Sequence, residues 1–213
     1  MINYKCFTVN FVQVNSYLVW DDTREACLID PGFSNTEEQK QFSNFLVDNN
    51  LQLVRCIATH NHFDHVLGGR FIEEKYGIKV EVPYLELTEL PPLSSQLSAF
   101  GLPASSEFDF TPVPLDATEV DTIQFGHTEL KILETPGHSP GHYSYYYPLG
   151  DGLVFCGDVI FCNGMGRYDL WGGSYETLMN SIRQVMLKLP ENTKVLSGHG
   201  PVTTIGREKS IFI

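Results

Sequence analysis

Four residues able to hold a metal ion or carry a proton fall within six positions, in Thr59-His60-Asn61-His62-Phe63-Asp64-His65. They follow the apolar run 53–58, which reads as a buried strand, so the motif sits on the loop at that strand's C-terminal end. Residues two apart project to the same side of an extended chain, and His60 and His62 can therefore grip one ion together. Asp64 and His65 lie past the bend, at the start of a helix, and point at a different spot. Two adjacent ligand sets are what a two-metal centre with ions about 3.5–4 Å apart requires.

Three further residues share one context: each ends a strand and meets glycine. They are His138 in Gly137-His138-Ser139-Pro140-Gly141, Asp158 in Cys156-Gly157-Asp158, and His199 in Gly198-His199-Gly200. Glycine lets backbone approach a site closely. Imidazole combined with carboxylate suits zinc, iron or manganese, and the lack of cysteine ligands argues against a structural zinc knot. A lone His-x-His means little, but His-x-His-x-Asp-His followed by these three positions is restrictive. His127, in Phe125-Gly126-His127-Thr128, reads as a solvated hairpin-turn residue. His142, four residues past His138, is either a support for the ligands or a substrate contact. Asp30, ahead of Pro31-Gly32, is either a plain turn aspartate or a support beneath the His60 loop.

The elements that must position these residues alternate between strand and helix. Strands are expected at 4–12, 14–20, 26–30, 53–58, 78–82, 122–125, 129–134, 143–147, 153–156 and 194–196. Helices are expected at 35–49, 66–76 (ended by Gly77) and 175–189. The proline-rich stretch 83–118 reads as an irregular excursion or lid. Inner strands that are apolar on both faces, alternating with helices, imply an α/β fold with sheets buried between helix layers. A length of 213 residues fits one domain, 1–213.

The net charge of −12 sets up a field that repels phosphate backbones and anionic lipid heads, so neither nucleic acid nor membrane is an expected partner. A small molecule is. Met1-Ile2-Asn3-Tyr4-Lys5-Cys6 carries no basic-then-apolar signal pattern. No apolar run approaches the roughly 18 residues a membrane span needs. The five cysteines are scattered and form no CxxC pair, which reads as reduced core residues and favours the cytoplasm.

From Asp30-Pro31-Gly32 to Thr203-Thr204-Ile205-Gly206, five motifs stand in the order of the metallo-β-lactamase superfamily. Within it, the sequence resembles the short glyoxalase II-like hydrolases. The resemblance implies an αβ/βα four-layer sandwich: two mixed sheets face to face, helices outside, metals at one edge. It implies that His60, His62 and His138 bind a first metal, that Asp64, His65 and His199 bind a second, and that Asp158 bridges both. Asp64 and Asp158 become the catalytic carboxylates. Two divalent ions per chain are expected, zinc first, with iron or manganese as alternatives. Superfamily members that open β-lactams typically carry cysteine or serine at the position of Asp158, so aspartate there points away from that activity. The stretch Gly164-Met165-Gly166-Arg167-Tyr168-Asp169 with Gly172-Gly173 also resembles the short group. Arg167, Tyr168 and His142 are the candidate substrate contacts, the alternative for Arg167 being a loop arginine paired with Asp169. Full-length glyoxalase II has an added C-terminal helical domain that supplies part of the glutathione site, whereas this chain ends fourteen residues past His199. The activity implied is hydrolysis of small thioesters of the hydroxyacylglutathione kind by a metal-bridged hydroxide. The rivals are a mononuclear iron persulfide dioxygenase, a lactonase, and a non-catalytic binding module.

Overall fold

The structure, a computed structural model, describes residues 2–103, 105 and 108–213. The first half runs β1 (Asn3–Val9), β2 (Val14–Trp20), β3 (Glu25–Ile29), α1 (Thr36–Asp48), β4 (Gln52–Ile57), α2 (Phe63–Val66), α3 (Gly69–Tyr76), β5 (Val80–Pro83), α4 (Tyr84–Glu89), α5 (Leu93–Ala99) and β6 (Val113–Leu115). The second runs β7 (Thr122–Phe125), β8 (Thr128–Glu134), β9 (Tyr143–Tyr147), β10 (Leu153–Gly157), β11 (Ile160–Phe161), β12 (Gly164–Met165), α6 (Tyr175–Gln184), β13 (Lys194–Ser197), β14 (Thr203–Thr204) and α7 (Ile205–Phe212).

Strands β1 to β6 form one sheet in sequence order, antiparallel as far as β3 and parallel from there on. The other sheet has the order β14-β13-β10-β9-β8-β7, with β10 and β13 parallel. Alternation along the strands then builds the layers. Tyr17, Val19, Cys27 and Ile29 face inward and pack with Leu130, Tyr145, Phe155 and Leu196 of the other sheet. Their neighbours Leu18 and Leu28 face outward onto Phe42 and Leu46 of α1 and Ile72 of α3. On the far side, Val154, Cys156 and Val195 pack against Leu178 and Ile182 of α6 and Phe212 of α7. This is the four-layer αβ/βα sandwich expected. No helix among the described residues is long and apolar enough to cross a membrane.

Local signals held where they were strongest. Asn35 caps α1 by accepting from the Glu38 N–H at 3.0 Å, and Gly77 ends α3 at φ +68°. Four expectations need correction. The strand expected at 4–12 stops at Val9, because Asn10 and Gln13 adopt positive φ in a turn. The helix expected at 66–76 breaks into α2 and α3, and the Gly68 N–H instead donates to Pro31 O at 2.7 Å. A Cβ on Gly68 would lie 2.8 Å from that same carbonyl oxygen. The helix expected at 175–189 is α-helical only to Gln184 and closes with a 3-10 turn at Met186–Lys188. The stretch 83–118 is more regular than its prolines suggest. Pro83 and Pro92 stand immediately before α4 and α5, where the missing N–H costs nothing, and Val113–Leu115 joins the first sheet. Residues 104, 106 and 107 of that stretch lie outside the described residues.

Candidate metal centre

All seven predicted ligands converge at one edge of the sandwich. His60 follows β4, His62 caps α2, and Asp64 and His65 sit inside α2. His138 lies between β8 and β9, Asp158 follows β10 and His199 follows β13. The last loop is tied to the first sheet by Asn15, whose N–H donates to Gly198 O at 2.7 Å. The donor atoms fall into groups whose members lie within 4.8 Å of one another: His60, His62 and His138; then Asp64, His65 and His199. Asp158 faces both. Its Oδ1 lies 3.4 Å from His65 Nε2, and its Oδ2 lies 3.6 Å from His138 Nε2 and 3.8 Å from His199 Nε2.

Hydrogen bonds behind the ligands fix which nitrogen each imidazole presents. Thr59 Oγ1 donates to Asp30 Oδ2 at 2.9 Å, so it must accept from His60 Nδ1, also at 2.9 Å. His65 Nδ1 donates to the same Asp30 oxygen at 3.0 Å, and His138 Nδ1 donates to Arg167 O at 2.7 Å. His60 and His138 therefore each point a bare Nε2 lone pair inward, and His65 turns its Nε2 the same way. Asp30 is the support beneath the His60 loop, and its backbone is held at φ +55° to reach it.

These lone pairs test whether the donors fit metal. His138 Nε2 lies 3.2 Å from His60 Nε2 and 2.8 Å from His62 Nδ1. The Nε2 lone pairs of His60 and His138, facing each other at 3.2 Å in a buried site, repel unless a cation lies between them. His65 Nε2 and Asp158 Oδ1 are also buried without a hydrogen-bond partner. The donor set fits two divalent cations, with imidazole and carboxylate supplying every ligand.

Charge separates the two sets. Burial, with the neighbouring histidines, holds His60 and His62 below the usual histidine range, His62 down to about 3. Burial likewise lowers His138. Burial also opposes charge on His65, but Asp64, Asp30 and Asp158 outweigh it and push its pKa well up. His199 is raised too, since burial is outweighed by its hydrogen bond to Asp64 and by Asp158. Burial alone would raise Asp158, yet His65, His138 and His199 hold it far below the usual carboxylate range.

The remaining predicted residues separate. His142 is fully buried: Nδ1 meets Thr135 Oγ1 at 3.1 Å, and Nε2 accepts from the Asp158 N–H at 3.2 Å. It stacks under His60 and braces the ligands, so the substrate-contact reading of it is corrected. Tyr168 is outside the cavity and packs edge-on against Tyr175. Arg167 does line the cavity, while making two hydrogen bonds to Asp169 at 2.8 and 3.0 Å. His127 is an exposed turn residue.

Sequence reasoning missed the polar residues that lock the ligand loops. Buried Glu86 of α4 accepts from Asn61 N at 3.0 Å and Gly141 N at 2.6 Å, clamping the His62 loop to the His138 loop. Buried Gln96 of α5 accepts from Phe63 N and donates to Asn61 O, both at 3.0 Å. Asn10 donates to Asp64 O at 2.9 Å. Their partners are 25 or more residues away along the chain, and no local pattern marks them. The glycine at 198, by contrast, was visible: a Cβ there would collide with Asp158 Oδ1 and lie 2.7 Å from His65 Cε1.

The chain matches the metallo-beta-lactamase superfamily over residues 9–199. It is 37% identical to the probable metallo-hydrolase YqgX of Bacillus subtilis, covering 98% of this chain and 95% of that one. It is 33% identical to the hydroxyacylglutathione hydrolase GloC of Haemophilus influenzae, with the same coverage. Among solved structures it resembles the BLEG-1 B3 metallo-beta-lactamase, with TM-score 0.84, 32% identity and coverage of 98% and 97%. TTHA1623, solved in a di-iron-bound form, gives TM-score 0.81, 32% identity and 96% coverage of both chains. ETHE1 from Myxococcus xanthus gives TM-score 0.74 and 27% identity, covering 97% of this chain and 81% of that one. Since the match runs from the end of β1 to the last of the seven ligand positions, this chain belongs to the metallo-β-lactamase superfamily.

Proposed function

We propose that this protein is a binuclear metallohydrolase that cleaves small thioesters, with residues 1–213 acting as one unit because both sheets supply ligands. The observation that carries this is Asp158, whose carboxylate lies between the two ligand sets, with Oδ2 toward His138 of the first and both oxygens within 4 Å of a histidine of the second. His60, His62 and His138 hold one cation and Asp64, His65 and His199 the other. Two divalent cations, when bound, lower the pKa of water toward neutrality and polarise a carbonyl oxygen. Asp64 and Asp158 fix the geometry and orient the attacking water. Water adds to the carbonyl carbon and the C–S bond breaks, giving a carboxylate, a thiol and one proton released to solvent. No residue need protonate the leaving group, because a thiol's pKa is only about 8.5. Similarity to GloC supports a thioester substrate, and the imidazole and carboxylate donors support zinc, with iron or manganese as the alternatives.

The test is metal content and turnover on one preparation. Two ions per chain, with thioester hydrolysis lost on chelation and restored by zinc, iron or manganese, are the expected result. A β-lactam serves as control substrate, because identity to BLEG-1 is nearly as high as to GloC. One iron per chain with oxygen uptake on persulfides would replace this reading by an oxidoreductase, and faster turnover of the β-lactam than of any thioester would replace it by a lactamase.

A further inference from the structure

The cavity over the candidate metal centre holds about 290 Å³ and is walled by Val12, Phe63, Phe100, Phe161, Leu170 and Trp171. Three separate segments each bring one aromatic ring to the same side of the wall, α2 (Phe63), the end of α5 (Phe100) and the loop before α6 (Trp171), and Phe11 of the β1–β2 turn extends the row beyond the cavity by stacking on Phe63. The rings form a continuous run. Trp171 lies 6.0 Å from the His62 ring and 6.2 Å from Phe100, Phe100 lies 5.1 Å from Phe63, and Phe11 stacks on Phe63 at 6.1 Å. One end of the run therefore touches a metal ligand and the other reaches solvent.

Core packing accounts for Phe63, which is 5% exposed, but not for the outer rings. Phe100 is 43% exposed and Phe11 59%. Exposed aromatic surface around a reactive centre marks a ligand site. The polar complement is small. Arg167 is the only lysine or arginine lining the cavity among the described residues, and Asp169 already engages its guanidinium with two hydrogen bonds.

The geometry points to a substrate whose aromatic group sits within a few bonds of the scissile carbonyl, held against Trp171, Phe100 and Phe63. An apolar cavity of about 150 Å³ takes a benzene ring, so 290 Å³ accommodates a ring, a short linker and the carbonyl group. The ring can be carried on the acyl side or on the thiol side of the bond. The inference rests on the thioester reading for the reaction, and on the cavity alone for the binding.

Three measurements on the metal-loaded protein test it. The first is kcat/KM for the 3-phenylpropanoyl and propanoyl thioesters of N-acetylcysteamine. The second is kcat/KM for the acetyl thioesters of 2-phenylethanethiol and ethanethiol. The third, independent of activity, is the calorimetric Kd of 3-phenylpropanoate against propanoate. The aryl member should be favoured by about tenfold or more in one of the two kinetic pairs, the pair naming the side that carries the ring, and in the binding pair if that side is acyl; 2-phenylethanol against ethanol is the binding pair for the thiol side. Phe100→Ala and Trp171→Ala should each collapse the preference toward twofold, and Phe100→Leu should recover part of it. Thioester turnover with no aryl preference in any pair overturns the aromatic subsite and leaves the thioester reading standing. An aryl preference that survives both alanine variants also overturns it. If no thioester is cleaved, but the aryl ligand still binds about tenfold tighter and loses that in Phe100→Ala, the subsite stands and the thioester reading falls.

Discussion

Asp30 Oδ2 lies 3.0 Å from His65 Nδ1 and accepts from Thr59 Oγ1 at 2.9 Å, so one carboxylate oxygen orients a candidate ligand in each donor group, His65 directly and His60 through Thr59. Asp30→Asn should keep the shape and the positive φ, which asparagine tolerates, while weakening both supports. Supports of this kind are worth about 10–100-fold in metal affinity. Competition with a chelator should show a loss in that range, at near-native circular dichroism. Unchanged affinity would mean that the ligands hold their orientation without Asp30.

Histidine variants should separate by what each ring touches. His127→Ala removes an exposed turn residue and should leave activity within about twofold. His142→Ala removes the acceptor of the Asp158 N–H and the ring beneath His60. It should cost activity and bound metal, yet less than Asp158→Ala, which disturbs both ligand sets at once. Metal content and turnover at matched folding give the order. Finding His142→Ala as silent as His127→Ala would contradict it.

The opposite pKa shifts of the two ligand sets predict unequal metal loading with pH. His60, His62 and His138 are lowered, so they are already neutral at pH 7 and bind a cation without releasing a proton. His65 and His199 are raised, so they hold protons in the metal-free protein that the second cation must displace. Affinity at the second set should fall as pH drops from 8 to 6, while affinity at the first changes little. For the metal-free fold the sign reverses at His65. Its stabilising charge is fully present below the unfolded value of about 6.5 and is lost as pH rises through the raised folded value. Calorimetric metal titrations in buffers of different ionisation enthalpy count the protons released. Equal release for both ions would sink the idea.

The candidate ligand positions were legible because residues able to hold a metal stand at close spacing in the sequence. His60 to His65 are adjacent in sequence, and the three later positions announce themselves by glycines such as Gly198 that only a crowded backbone needs. The inner strands β2, β3, β9 and β10 were legible because their apolar runs are buried on both faces. What supports the ligands was not. Glu86 sits in Tyr84-Leu85-Glu86, where a solvated glutamate would look the same, and its clamp depends on Gly141 arriving from 55 residues away. The break between α2 and α3 has the same origin, because Pro31 O competes for the Gly68 N–H from another part of the fold. Tyr168, a candidate substrate contact in the sequence, packs edge-on against Tyr175 outside the cavity, and Trp171 three residues on lines it.

Arg167 combines two roles that mutation can separate. Its backbone carbonyl accepts from His138 Nδ1, while its guanidinium lines the cavity with Asp169 against it. Arg167→Met keeps the carbonyl and removes the charge. If the guanidinium exchanges Asp169 for a substrate carboxylate, KM should rise about three- to tenfold for anionic thioesters and stay within twofold for neutral ones, the range expected of a half-exposed ion pair. An equal change for both classes would assign the arginine to its pairing with Asp169.

Substrate breadth follows from the same scarcity of cations. A metal centre of the proposed kind needs only a reachable carbonyl, so discrimination must come from contacts away from the reacting atoms. Glutathione offers two carboxylates and an ammonium group. Against them the cavity sets Arg167, already bonded to Asp169, and otherwise aromatic and aliphatic walls apart from the metal ligands themselves. The chain's net charge of −12 adds a general field that disfavours anions. Lactoylglutathione should therefore be hydrolysed, but without strong preference over lactoyl esters of a smaller neutral thiol. The measurement is the ratio of kcat/KM for the two lactoyl thioesters under one buffer and ionic strength. A ratio near unity, or within about tenfold, fits a cavity that leaves the peptide part of glutathione in solvent. A preference above about a hundredfold corresponds to roughly 3 kcal/mol of differential transition-state binding. No pairing in the cavity supplies that much, so such a result would require a cationic glutathione site elsewhere on the surface.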